Sequence, residues 1–110
     1  MKKKTSIITG GAGFIGSNLT EKLILAGHKV LVLDNFSTGR KSNLKKNKNL
    51  KIIKCDISNY VSIEKYFKNI DYIFHLAGLA DIVPSIENPD KYFKSNVVGT
   101  FNVLLAAKKF

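Results

Sequence analysis

The sequence predicts an α/β domain, a doubly wound parallel sheet with strands in the order 3-2-1-4. Three observations carry that reading. Short β-branched runs alternate with stretches of helical periodicity. The first run stops at a glycine-rich turn that opens a helix, and the second ends on a carboxylate. Such alternation implies a parallel sheet covered on both faces.

Thr5–Thr9 (T-S-I-I-T) is the first strand, stopped by Gly10. Residues 14–26 place Phe14, Ile15, Leu19, Leu23, Ile24 and Ala26 at helical spacing, and Gly27 is expected to end that helix. Lys29–Asp34 (K-V-L-V-L-D) is the second strand. Residues 35–49 are polar, with Ser37-Thr38-Gly39 as a turn and then one weak helical turn. Residues 50–55 form the third strand. Ser58 is expected to N-cap a helix over 60–68, whose apolar stripe is Val61, Ile63, Tyr66 and Phe67. Residues 71–77 (D-Y-I-F-H-L-A) are the fourth strand, stopped by Gly78. Pro84 and Pro89 punctuate a loop. Residues 90–110 read as one long helix with Tyr92, Phe93, Val97, Thr100, Val103, Leu104 and Ala107 on one side. Of these, Tyr92, Phe93 and Val97 are expected in the core. No internal repeat or linker interrupts the pattern.

Composition narrows the function. Of 110 residues, 45% are apolar and 24% charged, a globular balance. No apolar run approaches the roughly 20 residues that span a bilayer, so no membrane association is expected. The basic start Lys2-Lys3-Lys4 precedes only Ile7-Ile8 before Thr9-Gly10, too short for an export signal. The single Cys55 excludes an internal disulfide and a cysteine-rich zinc site; a reducing cytoplasm is the expected location. The net charge is +10, but 17 of the 18 basic residues are Lys, with Arg40 the exception. The densest basic stretch runs from Arg40 to Lys54. It reads as an anion-attracting surface or as a solvated loop in a Lys-rich chain. Nucleic-acid readers lean on Arg for bidentate contacts, and no nucleic-acid partner is expected.

The chemistry sits in the first turn, Thr9-Gly10-Gly11-Ala12-Gly13-Phe14-Ile15-Gly16. Gly11, Gly13 and Gly16 fit G-x-G-x-x-G, and Gly10, Gly13 and Gly16 fit G-x-x-G-x-x-G. The motif follows a strand, opens a helix, and is followed 18 residues beyond Gly16 by Asp34 at a strand tip. That context defines the dinucleotide-binding (Rossmann) fingerprint. Missing side chains let backbone N–H groups approach a pyrophosphate. The helix N-terminus adds unpaired donors and about half a positive charge. A P-loop needs Lys after its last Gly; here Ser17 follows Gly16. Asp34 is placed to accept from the adenine ribose hydroxyls, or to act as a turn cap. Its charge would repel the extra phosphate of NADP, although Arg40 and Lys41 are near enough to compensate; NAD is the expected cofactor. Asp56 either accepts from the adenine amino group or N-caps the next helix. His75 reads as a packed, hydrogen-bonded imidazole, Cys55 as a small buried residue, and His28 as the residue after a helix end.

These segments resemble a known family. The stretches T-G-G-A-G-F-I-G-S-N-L at 9–19, D-N-F-S-T-G at 34–39, D-I at 56–57, H-L-A-G-L-A at 75–80 and N-V-V-G-T-F-N-V-L at 96–104 resemble the extended short-chain dehydrogenase/reductases. Within them the chain is most similar to NAD-dependent nucleotide-sugar epimerase/dehydratases of the UDP-glucose 4-epimerase-like kind. The resemblance implies that Gly10, Gly13, Phe14, Ile15 and Gly16 surround the pyrophosphate. It implies Asp34 and Asn35 on the adenosine ribose, with Ser37, Thr38 and Gly39 lining the same pocket. Asp56 and Ile57 would frame the adenine. Leu76, Ala77 and Gly78 would pass under the nicotinamide half, with Leu79 and Ala80 beside it and Asn96 reaching from behind. Some epimerases carry Lys where Ala80 stands, so that contact is not expected here. No metal site is implied.

The family's catalysis uses a Tyr-x-x-x-Lys pair. Four positions after Tyr60, Tyr66, Tyr72 and Tyr92 stand Glu64, Ile70, Leu76 and Asn96, so the pair is absent from these residues. A full doubly wound sheet has about six strands. The expectation is therefore that 1–110 is the N-terminal, NAD-binding part of a longer enzyme. Its parent would be a homodimer acting on a nucleotide-sugar by transient hydride transfer to bound NAD. The competing expectation is a non-catalytic NAD(P)-binding or redox-sensing module of the same fold. The open edge of the fourth strand would leave the isolated segment marginally stable and prone to associate.

Overall fold

The computed structural model describes residues 2–79 and 82–110. Four strands, β1 (Thr5–Thr9), β2 (Lys29–Asp34), β3 (Leu50–Lys54) and β4 (Tyr72–His75), form one parallel sheet in the order β3-β2-β1-β4. Ile7 pairs with Leu31 on one side and Ile73 on the other.

Successive side chains of a strand point to opposite faces, and both faces of this sheet are covered. Ile8, Val30 and Val32 pack against Leu19, Leu23 and Ile24 of α1 (Phe14–Leu25). Ile7, Leu33 and Ile53 pack on the other face against Ile63, Phe67, Val103 and Ala106. Helix α1 ends in a Schellman motif. His28 N donates to Leu23 O, Gly27 N donates to Ile24 O, and Gly27 sits at φ +90°.

The second helix departs from expectation. Ser58 does not cap it: its N–H and hydroxyl both donate to Asp56 Oδ1, which draws Ser58 into a turn. The helix α2 (Tyr60–Ile63) starts after Asn59 and tightens into a 3-10 turn over Glu64–Phe67. The Ser62 hydroxyl donates back to Asn59 O, and left-handed Asn69 (φ +62°) closes the segment.

The prolines also differ from expectation. Pro84 lies in the first turn of α3 (Ile82–Glu87), and Pro89 opens α4 (Pro89–Tyr92). A helix's first turn has no use for those N–H groups, so proline fits there. The expected long helix exists but is interrupted. A wider, π-helical turn over Phe93–Val98 separates α4 from α5 (Gly99–Lys109). The extra residue per turn rotates the buried face. Gly99, Asn102, Val103 and Ala106 are buried, while Phe93, Val97, Leu104 and Ala107 are exposed. The expectation that Phe93 and Val97 belong to the core is thus corrected, and Tyr92 is only half-buried. Lys109 pairs with Glu64, fixing the end of α5 to the 3-10 turn. Among the described residues no helix is long and apolar enough to cross a membrane.

Candidate functional site

The carboxyl ends of the four strands converge on one cavity of about 230 Å³. Its first wall is the glycine turn. Gly10 holds φ +70°, and a Cβ there would stand 2.8 Å from Ala77 Cα, so loop and β4 segment touch backbone to backbone. Gly16 lies beneath; a Cβ on it would fall 2.4 Å from Gly10 O. Helix α1 starts at Phe14 with Gly13 as N-cap and no side-chain cap bond. The Ser17 and Asn18 side chains turn back to Phe14 O instead. The leading N–H groups of α1 therefore have no intrahelical acceptor and carry the positive end of the helix dipole.

Gly13 tests whether a dinucleotide fits. A Cβ on Gly13 would meet only Gly10 O, at 3.4 Å. Packing inside the chain does not demand glycine here. Gly13 lines the cavity, and the absence of a side chain leaves backbone open to a pyrophosphate over the helix end. The residues present fit the group.

The second wall follows β2. Asp34 is buried, 8% exposed. Its Oδ2 accepts from Ala12 N at 3.0 Å and its Oδ1 from Phe36 N at 2.7 Å. Each oxygen keeps a second acceptor site, and Asp34 faces the cavity. Asp34 thus caps two turns and borders the pocket. Asn35 Oδ1 accepts from Ser37 N at 2.9 Å. Arg40 N and Asn43 Nδ2 both donate to Ala12 O, which folds the 35–43 segment over the glycine turn.

The third wall is Cys55 to Ser58. Asp56 Oδ1 is engaged by Ser58, and Asn102 Nδ2 donates to Ile57 O at 2.8 Å. Cys55 is half-buried and borders the cavity, where burial first, then Asp56 and Asp34, push its thiol up to about 11.

The floor is residues 76–79, which follow β4 and rest on its last residue, His75. His75 Nδ1 lies 2.6 Å from Thr9 Oγ1, and Nε2 lies 2.7 Å from Thr100 Oγ1. Burial lowers its pKa below the ordinary 6.5. This is the packed imidazole the sequence suggests. Leu76 N and Ala77 N also donate to Thr9 Oγ1. Asn96 clips the chain end of the floor: Leu79 N donates to its Oδ1 and its Nδ2 donates to Leu79 O, both at 2.8 Å.

Of the residues expected at a cofactor, Gly10, Gly13, Asp34, Asn35, Ser37, Thr38, Gly39, Asp56, Ile57, Leu76, Ala77, Gly78 and Leu79 line this cavity. Phe14 and Ile15 are not among the lining residues, and both side chains are exposed. Gly16 supports the turn from below, and Asn96 stands behind the floor. Ala80 lies outside the described residues. Sequence reasoning missed a fourth wall, Lys91, Lys94 and Ser95. Their i, i+3, i+4 spacing is a one-face helical signal, masked by the apolar residues beside it. It also missed Leu33, Cys55 and Ser58 as lining groups.

Residues 6–110 match the model of the NAD dependent epimerase/dehydratase family. The chain is 43% identical over 110 residues to UDP-glucuronic acid decarboxylase 1 of Danio rerio, covering 97% of this chain and 25% of that protein. Its fold is similar, at TM-score 0.90 and 40% identity, to a UDP-N-acetylglucosamine 4-epimerase from Methanobrevibacter ruminantium M1 in complex with UDP-N-acetylmuramic acid; 99% of this chain and 35% of that one are covered. The Thermus thermophilus UDP-glucose 4-epimerase complex with NAD gives TM-score 0.85 at 34% identity, covering 96% of this chain and 34% of that one. The chain thus spans about a quarter to a third of the length of the proteins it matches.

Proposed function

The chain belongs to the NAD-dependent epimerase/dehydratase family, and from that premise we propose that it is the NAD-binding portion of a UDP-sugar 4-epimerase. The observation that carries the reading is Gly13, a glycine the fold does not require, set at an uncapped helix N-terminus that opens on the cavity.

Gly10, Gly13 and the Phe14 and Ile15 amides hold the pyrophosphate, with Gly16 beneath. Asp34 and Asn35 take the adenosine ribose beside Ser37, Thr38 and Gly39. Asp56 and Ile57 frame the adenine. Leu76 to Leu79 carry the nicotinamide half. Bound NAD supplies a reversible hydride acceptor for a sugar hydroxyl. These residues orient it and shield one face from water; the proton of the hydroxyl is left to a Tyr-x-x-x-Lys pair that residues 1–110 do not contain.

A second reading, a UDP-sugar decarboxylase, is favoured by the 43% identity to decarboxylases. The two separate on products. Full-length protein given UDP-glucose and UDP-N-acetylglucosamine should return their 4-epimers. Carbon dioxide from UDP-glucuronic acid, with no epimerisation, would favour the decarboxylase. Calorimetric NAD binding without turnover on any of the three would favour a non-catalytic module.

A further inference from the structure

The hydrogen bonds beneath the cavity fit one proton arrangement, with the Leu76 N–H shared between Thr9 O at 3.1 Å and the Thr9 hydroxyl. Thr9 Oγ1 has Leu76 N at 3.0 Å, Ala77 N at 3.2 Å and His75 Nδ1 at 2.6 Å. The two amides can only donate. A hydroxyl offers two lone pairs and one hydrogen. Its oxygen receives the amides, and the acceptor that its own hydrogen faces is His75 Nδ1. That nitrogen is then a bare acceptor, and a neutral ring keeps its hydrogen on Nε2. Nε2–H points at Thr100 Oγ1, 2.7 Å away.

We infer that His75 is a positioning residue: the Thr9 hydroxyl fixes it as the Nε2–H tautomer, and this relay holds the Leu76 and Ala77 amides in the floor of the cavity. The inference rests on the cavity being the NAD site. Thr9 is fully buried, so no solvent proton relieves a mismatch. A proton on Nδ1 would take that acceptor from the buried Thr9 hydroxyl hydrogen and would compete with the Ala77 N–H for the same oxygen. Ala77 Cα stands 2.8 Å from the position of a Cβ on Gly10, so a floor displaced toward the loop disturbs the turn above it. Thr9 from β1 and Thr100 from α5 are the groups bonded to the ring, and neither titrates. Burial lowers the ring's basicity, and among the described residues no charged side chain contributes.

The test uses full-length protein with 15N-labelled histidine. Long-range proton–nitrogen spectra at pH 7 should show His75 neutral with its hydrogen on Nε2. Thr9→Val removes the hydroxyl at nearly constant shape and should weaken NAD binding by about tenfold or more while releasing the tautomer. Thr9→Ser keeps the hydroxyl and should restore both within about threefold. A ring protonated on Nδ1, or on both nitrogens, in the unaltered protein would overturn the inference, and that spectrum needs no variant to fold. So would a folded Thr9→Val that binds NAD as tightly as the parent. Failure of the unaltered protein to bind NAD at all would instead overturn the cofactor reading, and with it the positioning role.

Discussion

Asp34 Oδ2 accepts the Ala12 N–H at 3.0 Å, so the carboxylate at the tip of β2 is fastened to the turn at the tip of β1. Its Oδ1 simultaneously holds Phe36 N. One side chain therefore shapes two walls of the cavity before it meets any ligand. Asp34→Asn turns one of those acceptors into a donor facing an amide. A loss of about 1–3 kcal/mol in folding stability is expected, together with weaker NAD binding. Urea unfolding and calorimetry on the same preparation check this; a variant as stable as the parent would mean the Ala12 bond carries little weight.

Gly13 and Gly16 are three residues apart and should fail differently. Gly13→Ala meets only Gly10 O at 3.4 Å and should melt close to the parent while losing NAD affinity by tenfold or more, on the order of 1.4 kcal/mol. Gly16→Ala drives a methyl to 2.4 Å from Gly10 O and should lower the melting temperature outright. If Gly13→Ala binds NAD normally, the cradle has another purpose.

The glycine turn carries no cationic side chain, whereas Lys91 and Lys94 border the same cavity. They are the natural counter-charges for a dinucleotide. The Lys91→Ala/Lys94→Ala pair should weaken NAD binding severalfold at low salt, and the difference should shrink as ionic strength rises toward about 1 M. A salt-independent deficit would point to shape rather than charge.

Two partly buried groups make stability depend on pH. His75 has a folded pKa below its ordinary 6.5, so the unfolded chain binds the proton first. Stability should fall as pH drops through 6.5 toward the folded value. Cys55 is raised from 9.0 to about 11, so the unfolded chain loses its proton first and stability should fall between those values. The same shift leaves roughly a thousandth of Cys55 as thiolate at about pH 8. Iodoacetamide should therefore label it slowly, and NAD should slow it further because Cys55 lines the cavity. Both are read by mass spectrometry and pH-dependent melting. Labelling indifferent to saturating NAD would contradict the placement of the cofactor.

How much of this was legible depended on whether the signal was local. The strands were readable because β-branched runs bounded by Gly10, Asp34 and Gly78 have few other uses. The expected fourth strand ran past His75 because Leu76 and Ala77 are apolar; Leu76 N still reaches Thr9 O but shares that bond with the Thr9 hydroxyl, and Ala77 N turns to the hydroxyl. Asp34 was readable from its distance to the glycines; its grip on Ala12 was not, since nothing in sequence shows how the two loops lean together. Lys91 and Lys94 were hidden for another reason. Which face of a helix points inward depends on cumulative rotation, and one wide turn over Phe93–Val98 changes it. Ser58 looked like a cap because a serine before a helix usually is one; Asp56, two residues earlier, competes for it.

Asn96 uses a single amide group to engage both the N–H and the C=O of Leu79. Both backbone groups of that residue are thus held by a side chain from the wide turn over Phe93–Val98. A shift of that turn against the sheet is therefore carried straight into the floor of the cavity.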